Sequence, residues 1–157
     1  LAVKSKKEVA ADIIEHMDKD SLYLLGPGTT VKAVADAAGI PKTLLGVDAV
    51  ADGRLVGADL NEKAILSLFQ KFKKRHIVVT PIGGNGFIFG RGSKQFTPEV
   101  IRRVGRDNII IVGTMDKIAK LEALRVDTGD FSLDKMLAGY MAVTIGYKET
   151  MKMEVRG

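Results

Sequence analysis

Two stretches of this chain combine glycines, hydroxyls and charge at spacings suited to a phosphate-bearing small molecule. The first is Gly26-Pro27-Gly28-Thr29-Thr30, between an apolar run at Leu22 to Leu25 and a short helical pattern at Val31 to Ala38. Glycine lets a backbone approach a ligand closely, and free N–H groups at a helix start favour an anion. Gly26, Gly28, Thr29 and Thr30 are therefore candidate phosphate contacts. A tight turn with a threonine cap needs the same residues. The spacing is not that of a Walker A loop. The second stretch is Thr80 to Gly92, TPIGGNGFIFGRG, with five glycines between Gly83 and Gly92. Loops this long inside a compact domain usually carry function. Gly83, Gly84, Asn85, Gly86 and Gly90 are candidates to close over a ligand, and Arg91 suits bidentate contact with a phosphate. The alternative is a hairpin held by Phe87 and Phe89.

A third constellation is Leu124-Arg125-Val126-Asp127-Thr128-Gly129-Asp130. Asp127 and Asp130 are candidate Mg²⁺ ligands, since this ion takes one or two carboxylates together with phosphate oxygens. Thr128 is a candidate ligand contact. Asp130 or Ser132 capping the next helix, and Arg125 neutralising Asp127, account for the same residues. Asp59-Leu60-Asn61-Glu62 reads first as a helix start with Asp59 at the N-cap and Glu62 three residues on, and second as a polar ligand contact by Asn61. Asp48, late in the strand-like run Thr43 to Val50, is a further strand-end candidate.

Composition narrows the chemistry. The chain has 157 residues, no cysteine and two histidines, His16 and His76. Disulfides and cysteine-based zinc sites are excluded, and a Ser-His-Asp triad is disfavoured. The net charge of +5 suits anionic ligands in a general way. The densest basic run, Lys71 to Arg75, falls where a helix should end, and there cations complement the helix dipole. Aromatic residues are sparse, so nucleic acid is not an expected partner. No apolar run is long enough to span a bilayer, and no secretory pattern opens the chain. A cytoplasmic setting away from membranes is expected, with homo-oligomerisation open.

The elements that must position these residues alternate. Helices are expected at Val3 to Asp18, with Ser5 and Glu8 as a capping box, and at Val31 to Ala38. Further helices are expected from Asp59 or Asn61 to about Lys73, behind Thr97-Pro98, over Asp116 to Leu121, and from Ser132 to about Gly139. Strands are expected at Leu22–Leu25, Thr43–Val50, His76–Thr80, Asn108–Val112, Leu124–Val126 and Met141–Tyr147, with Met151–Val155 pairing beside the last. Asp52-Gly53 marks a hairpin turn. Pro81 to Gln95 is expected to be loop. This alternation predicts an α/β fold. Its mostly parallel sheet is flanked by helices in three layers, with the glycine-rich loop at the C-terminal edge of the strands. One domain over residues 1–157 is expected.

Taken together, GPGTT (26–30), KTLLGVDAV (42–50), DLNE (59–62), TPIGGNGFIFGRG (80–92), PEVIRRVG (98–105), DNIIIVGT (107–114) and LRVDTGD (124–130) resemble the ATP-NAD kinase-like family. The likeness is to its branch of predicted polyphosphate- or ATP-dependent NAD kinases, and to the C-terminal part. The resemblance implies phosphoryl transfer from ATP or polyphosphate to the ribose of NAD, commonly with Mg²⁺. The family's catalytic acid lies in a Gly-Gly-Asp-Gly motif of an N-terminal domain. Here Gly83-Gly84-Asn85-Gly86 comes close, but Asn85 is uncharged and cannot act as a carboxylate base. The catalytic role is therefore not carried over. With Leu1 as its first residue, the chain is expected to be the part of a larger protein that follows the catalytic motif, inactive alone and partnered by its own N-terminal kinase domain.

A shorter likeness runs through LLGVDAV, GRLVGADLNEKAI and HIVVT. It is similar to the sugar-phosphate isomerase-like fold and to sugar-sensing repressor domains. It implies a phosphorylated-sugar sensor or isomerase without kinase activity.

Overall fold

The computed structural model describes residues 2–157, with side chains from Ser5 onward. Leu1, on which the expectation about the chain's start rests, lies outside them. The described strands are β1 (Ser21–Leu25), β2 (Asp48–Ala51), β3 (Arg54–Gly57), β4 (Lys74–Val79), β5 (Phe87–Phe89), β6 (Ile109–Val112), β7 (Leu124–Val126), β8 (Gly139–Gly146) and β9 (Glu149–Arg156). The helices are α1 (Ala2–Glu15), α2 (Thr29–Ala37), α3 (Glu62–Lys71), α4 (Pro98–Val104), α5 (Met115–Ala119) and α6 (Phe131–Leu137). All nine strands join one sheet in the order β3-β2-β1-β4-β6-β8-β9-β7-β5. The β1–β4, β4–β6, β6–β8, β7–β9 and β5–β7 pairs are parallel. The two hairpins and the β1–β2 pair are antiparallel. The fold is α/β around a mostly parallel sheet.

Side chains alternate across a strand, so the two faces of β1 can be followed separately. Leu22 and Leu24 pack with Ile77 and Val79 of β4 under Ile65 and Phe69 of α3 and Val100 and Ile101 of α4. Tyr23 and Leu25 pack with Val78 under Val9 and Ile13 of α1 and Val31 and Val34 of α2. Every residue of β1 is buried, as a strand covered on both faces must be. The helices therefore form layers above and below the sheet.

The structure differs from the pattern in four places, each with a local cause. First, α1 already runs from Ala2, so Ser5 lies inside it and caps nothing. Second, β2 starts only at Asp48, because residues 41–47 fold around a buried ion pair. Third, the segment after β4 is not all loop. Ile82 bridges to Phe87 across Gly83 to Gly86, and β5 then pairs with β7. Fourth, α6 is capped by Asp130, whose side chain accepts from the Leu133 N–H, and not by Ser132.

The basic run ends α3 in a specific way. Lys71 closes the helix, and Arg75 in β4 reaches back to donate to the Phe72 and Phe69 carbonyls at 2.8 and 2.6 Å. Those carbonyls belong to the last turn, which lacks intrahelical partners.

Candidate functional site

Beyond the C-terminal ends of β1 and β4 the chain encloses a cleft of about 260 Å³. Pro27 contributes from the first glycine turn, and Thr80 and Ile82 from the exit of β4. Phe87 to Gly90 contribute from β5 and its end, Ser93, Gln95 and Phe96 from the approach to α4, and Leu45 and Val47 from the 41–47 loop. Ligands of open parallel sheets collect at this edge. The lining is largely apolar, and its polar groups are Thr80, Ser93 and Gln95.

The glycine turn is built to pack against β4. The Gly26 N–H donates to the Val78 carbonyl at 3.0 Å. A Cβ on Gly26 would lie 3.0 Å from the Phe96 ring. Gly28 has φ +114, and a Cβ there would lie 2.5 Å from Cγ2 of Thr80. Both glycines bring the turn against the cleft wall. The two threonines part company. Thr30 is buried, whereas Thr29 is exposed and lines a different concavity between α1 and α2, with Lys6, Lys7 and Lys32. That groove is larger, about 620 Å³, but of the sequence candidates it reaches Thr29 alone.

Gly83, Gly84 and Asn85 form the exposed tip of the Ile82–Phe87 turn. Gly86 is buried at φ +80, where a Cβ would collide with the Ala123 carbonyl, and its own carbonyl accepts from the Arg125 N–H at 2.8 Å. Gly90 lines the cleft, and Arg91, the next residue, lies outside the lining. Arg91 is paired with Asp127 at 2.9 Å. A hydrogen bond from that guanidinium to the Asp127 carboxylate, and the carboxylate's charge, raise the Arg91 pKa further.

The two acids proposed for Mg²⁺ are engaged with guanidinium groups. Asp127 accepts from Arg91. Asp130 accepts from the Leu133 N–H, from Arg102 and from Ser132. These bonds, in that order, hold its carboxyl below the ordinary range. Among the described residues no three His, Asp or Glu side chains gather at one point. Asp127 and Asp130 are thus each held by a guanidinium group in this structure. Thr128 is buried, and its hydroxyl donates to Asp134 at 2.7 Å, tying the β7 exit to α6.

Asn61 caps α3, its side-chain oxygen accepting from the Ala64 N–H at 2.9 Å. Asp48 is wholly buried. One of its oxygens accepts from the Thr43 N–H and hydroxyl and pairs with Lys42, and the other accepts from the Asp59 N–H. Burial alone would raise this carboxyl. The bonds from Lys42, Asp59 and Thr43, with the Lys42 charge, outweigh it and hold the pKa below its usual value.

The structure thus brings Pro27, Thr80, Ile82 and Phe87 to Gly90 to one cleft, with Gly26 and Gly28 behind its wall, while Gly83 to Gly86 and Arg91 lie outside its lining. Asn61 and Asp48 serve the backbone beside it. Thr128, Asp127 and Asp130 form the neighbouring turn. Sequence reasoning missed Leu45, Val47, Gln95, Phe96 and Lys42. Two signals were available. Phe96 directly precedes the Thr97 cap of α4, the position of a hydrophobic staple, and Leu44-Leu45 is an apolar pair beside a glycine in what proves to be loop.

Among the described residues no helix is long and apolar enough to cross a membrane. No curated protein and no solved structure matches the chain significantly. The family model for the ATP-NAD kinase C-terminal domain matches residues 18–155, a span from the entry of β1 to the end of β9 that takes in every segment of the cleft. With that match over nearly the whole length, the chain belongs to the ATP-NAD kinase C-terminal domain family.

Proposed function

We propose that the cleft at the ends of β1 and β4 receives the base and adjoining ribose of a nucleotide, NAD or ATP, with its phosphates at the rim near Arg91. The observation that carries this reading is the cleft's composition. Apolar walls from Pro27, Ile82, Phe87, Phe96 and Leu45 surround a few polar groups, Thr80, Ser93 and Gln95. Small-molecule sites have this character, a mainly apolar lining with few orienting polar groups. At about 260 Å³ the cleft falls below the roughly 300–1,000 Å³ usual for whole ligands. It suits part of a dinucleotide, not all of it.

Arg91 is the group for the phosphate. It is 70% exposed in its pair with Asp127, and an exposed pair is held weakly enough to exchange for a stronger one. Gly83, Gly84 and Asn85 form the tip that closes over the bound ligand. Phosphoryl transfer from ATP or polyphosphate to NAD belongs, in this proposal, to a larger cytoplasmic protein whose N-terminal kinase domain supplies the catalytic acid.

A thermal-shift screen tests the proposal with NAD, ATP, polyphosphate and sugar phosphates, each with and without Mg²⁺. NAD or ATP should raise the melting temperature, since a ligand that binds only the folded state at 100 times Kd adds about 2.7 kcal/mol. Ile82→Asp, which puts a charge on the apolar wall, should abolish the rise. Stabilisation by sugar phosphates alone would favour a sugar-phosphate sensor and count against the nucleotide.

A further inference from the structure

Residues 41–47 contain neither helix nor strand, yet they supply one wall of the cleft through Leu45 and Val47. At the centre of this loop is a lysine. The Lys42 ammonium donates to the Thr43 and Gly46 carbonyls, each at 2.8 Å, and lies 2.8 Å from an Asp48 carboxylate oxygen. Both side chains are 1% exposed. No other ion pair among the described residues has both partners so buried. The loop thus closes around a buried ion pair, with Val47 in the core and Leu44 and Leu45 turned outward. Leu44 is 65% exposed and Leu45 81%.

The loop is also held from its other side. A Cβ on Gly46 would lie 2.5 Å from an Asp59 carboxylate oxygen and 2.6 Å from the Thr43 hydroxyl. The Leu60 N–H donates to the Val47 carbonyl at 2.8 Å. These contacts leave the loop one shape. Stability alone does not call for a buried lysine and aspartate, because an apolar pair of similar volume is often as stable or more so. What the pair supplies is geometry. Each donor and acceptor has its partner in one arrangement of residues 42–48, and that arrangement presents Leu45 to the cleft.

We propose that Lys42 is a positioning residue for the ligand: paired with Asp48, it fixes the Leu45–Val47 wall at the distance a bound nucleotide requires. This rests on the reading of the cleft as a nucleotide site. Lys42 itself does not line the cleft, so its effect passes through the wall.

The test is the affinity of the whole chain for NAD, with ATP as a second probe, measured by calorimetric titration well below the melting temperature. Lys42→Met keeps the length of the stem and removes the charge. Ile13→Ala, in the α1 core on the opposite face of the sheet, destabilises the fold without touching the cleft. Lys42→Met should weaken binding about tenfold or more, while Ile13→Ala should bind as the wild type does. Gly46→Ala, whose methyl pushes against Asp59 and the Thr43 hydroxyl and so disturbs the same Lys42–Asp48 arrangement, should also weaken binding, and it stands as the second test if Lys42→Met does not fold. Wild-type affinity in the loop variants would overturn the positioning role and leave the cleft reading standing. A wild-type chain that binds neither nucleotide overturns the cleft reading, and this role with it.

Discussion

Arg91 and Asp127 stand 36 residues apart in sequence and meet just after the cleft-lining Gly90, where the guanidinium donates twice to a single carboxylate oxygen, at 2.9 and 3.2 Å. The pair joins the segment that leaves β4 to the turn that leaves β7. It is exposed, so it adds little to stability, and its guanidinium is free to change partner. Arg91→Ala should leave the unliganded melting temperature essentially unchanged and reduce the rise that NAD or ATP produces. A large fall in the unliganded melting temperature would show that the pair is structural instead.

The glycine turn yields a steric prediction. Gly28 combines a positive φ with a Cβ position 2.5 Å from Cγ2 of Thr80. Gly28→Ala should destabilise by more than about 1 kcal/mol, the scale on which alanine at positive φ is penalised. Thr80→Ser removes the clashing methyl and should restore part of the loss, because it relieves the contact but not the backbone strain. Denaturant melts of the two single variants and the double variant measure this coupling. Simple additivity would show that the contact does not matter.

A pH dependence follows from the stacked rings of Tyr23 and His76, whose centroids lie 4.4 Å apart. His76 Nδ1 is buried without a partner. Burial lowers the imidazole pKa, against a backbone hydrogen bond at Leu22 and the Asp18 charge. The unfolded chain therefore binds the proton more readily than the folded one. The contribution is complete above the unfolded value of about 6.5 and is lost as pH falls through the lower, folded value. Urea melts between about pH 7.5 and about pH 5.5 should show this decline. His76→Phe, which keeps a stacked ring, should flatten it. An unchanged slope in the variant would assign the effect to another group.

Much of this architecture is legible in the sequence because the signals are local. Ile109-Ile110-Ile111-Val112 announces a covered strand, Thr97-Pro98 a helix start, and Asp52-Gly53 a hairpin, and each is found. The resemblance named the family that the family model matches. The cleft was less legible because its walls are assembled by long-range contacts. Phe96 reaches the glycine turn some 70 residues earlier only because β4 lies beside β1. Asp48 reads as part of a strand, with Lys42 just before it, since neither periodicity nor composition shows that a buried charge will fold a loop around itself. The same limit applies to Asp130. Its type and position suit a metal, a cap or an ion pair equally well, and the position of Arg102 relative to it is set only by the packed fold.

Amide hydrogen exchange of the chain with and without NAD reads out whether a nucleotide occupies the cleft at the ends of β1 and β4. The account predicts slower exchange on addition of NAD in residues 43–47, 80–90 and 93–96, with little change in α1 or on the outer face of α2. Protection confined to the groove between α1 and α2, or none at saturating NAD, would contradict it.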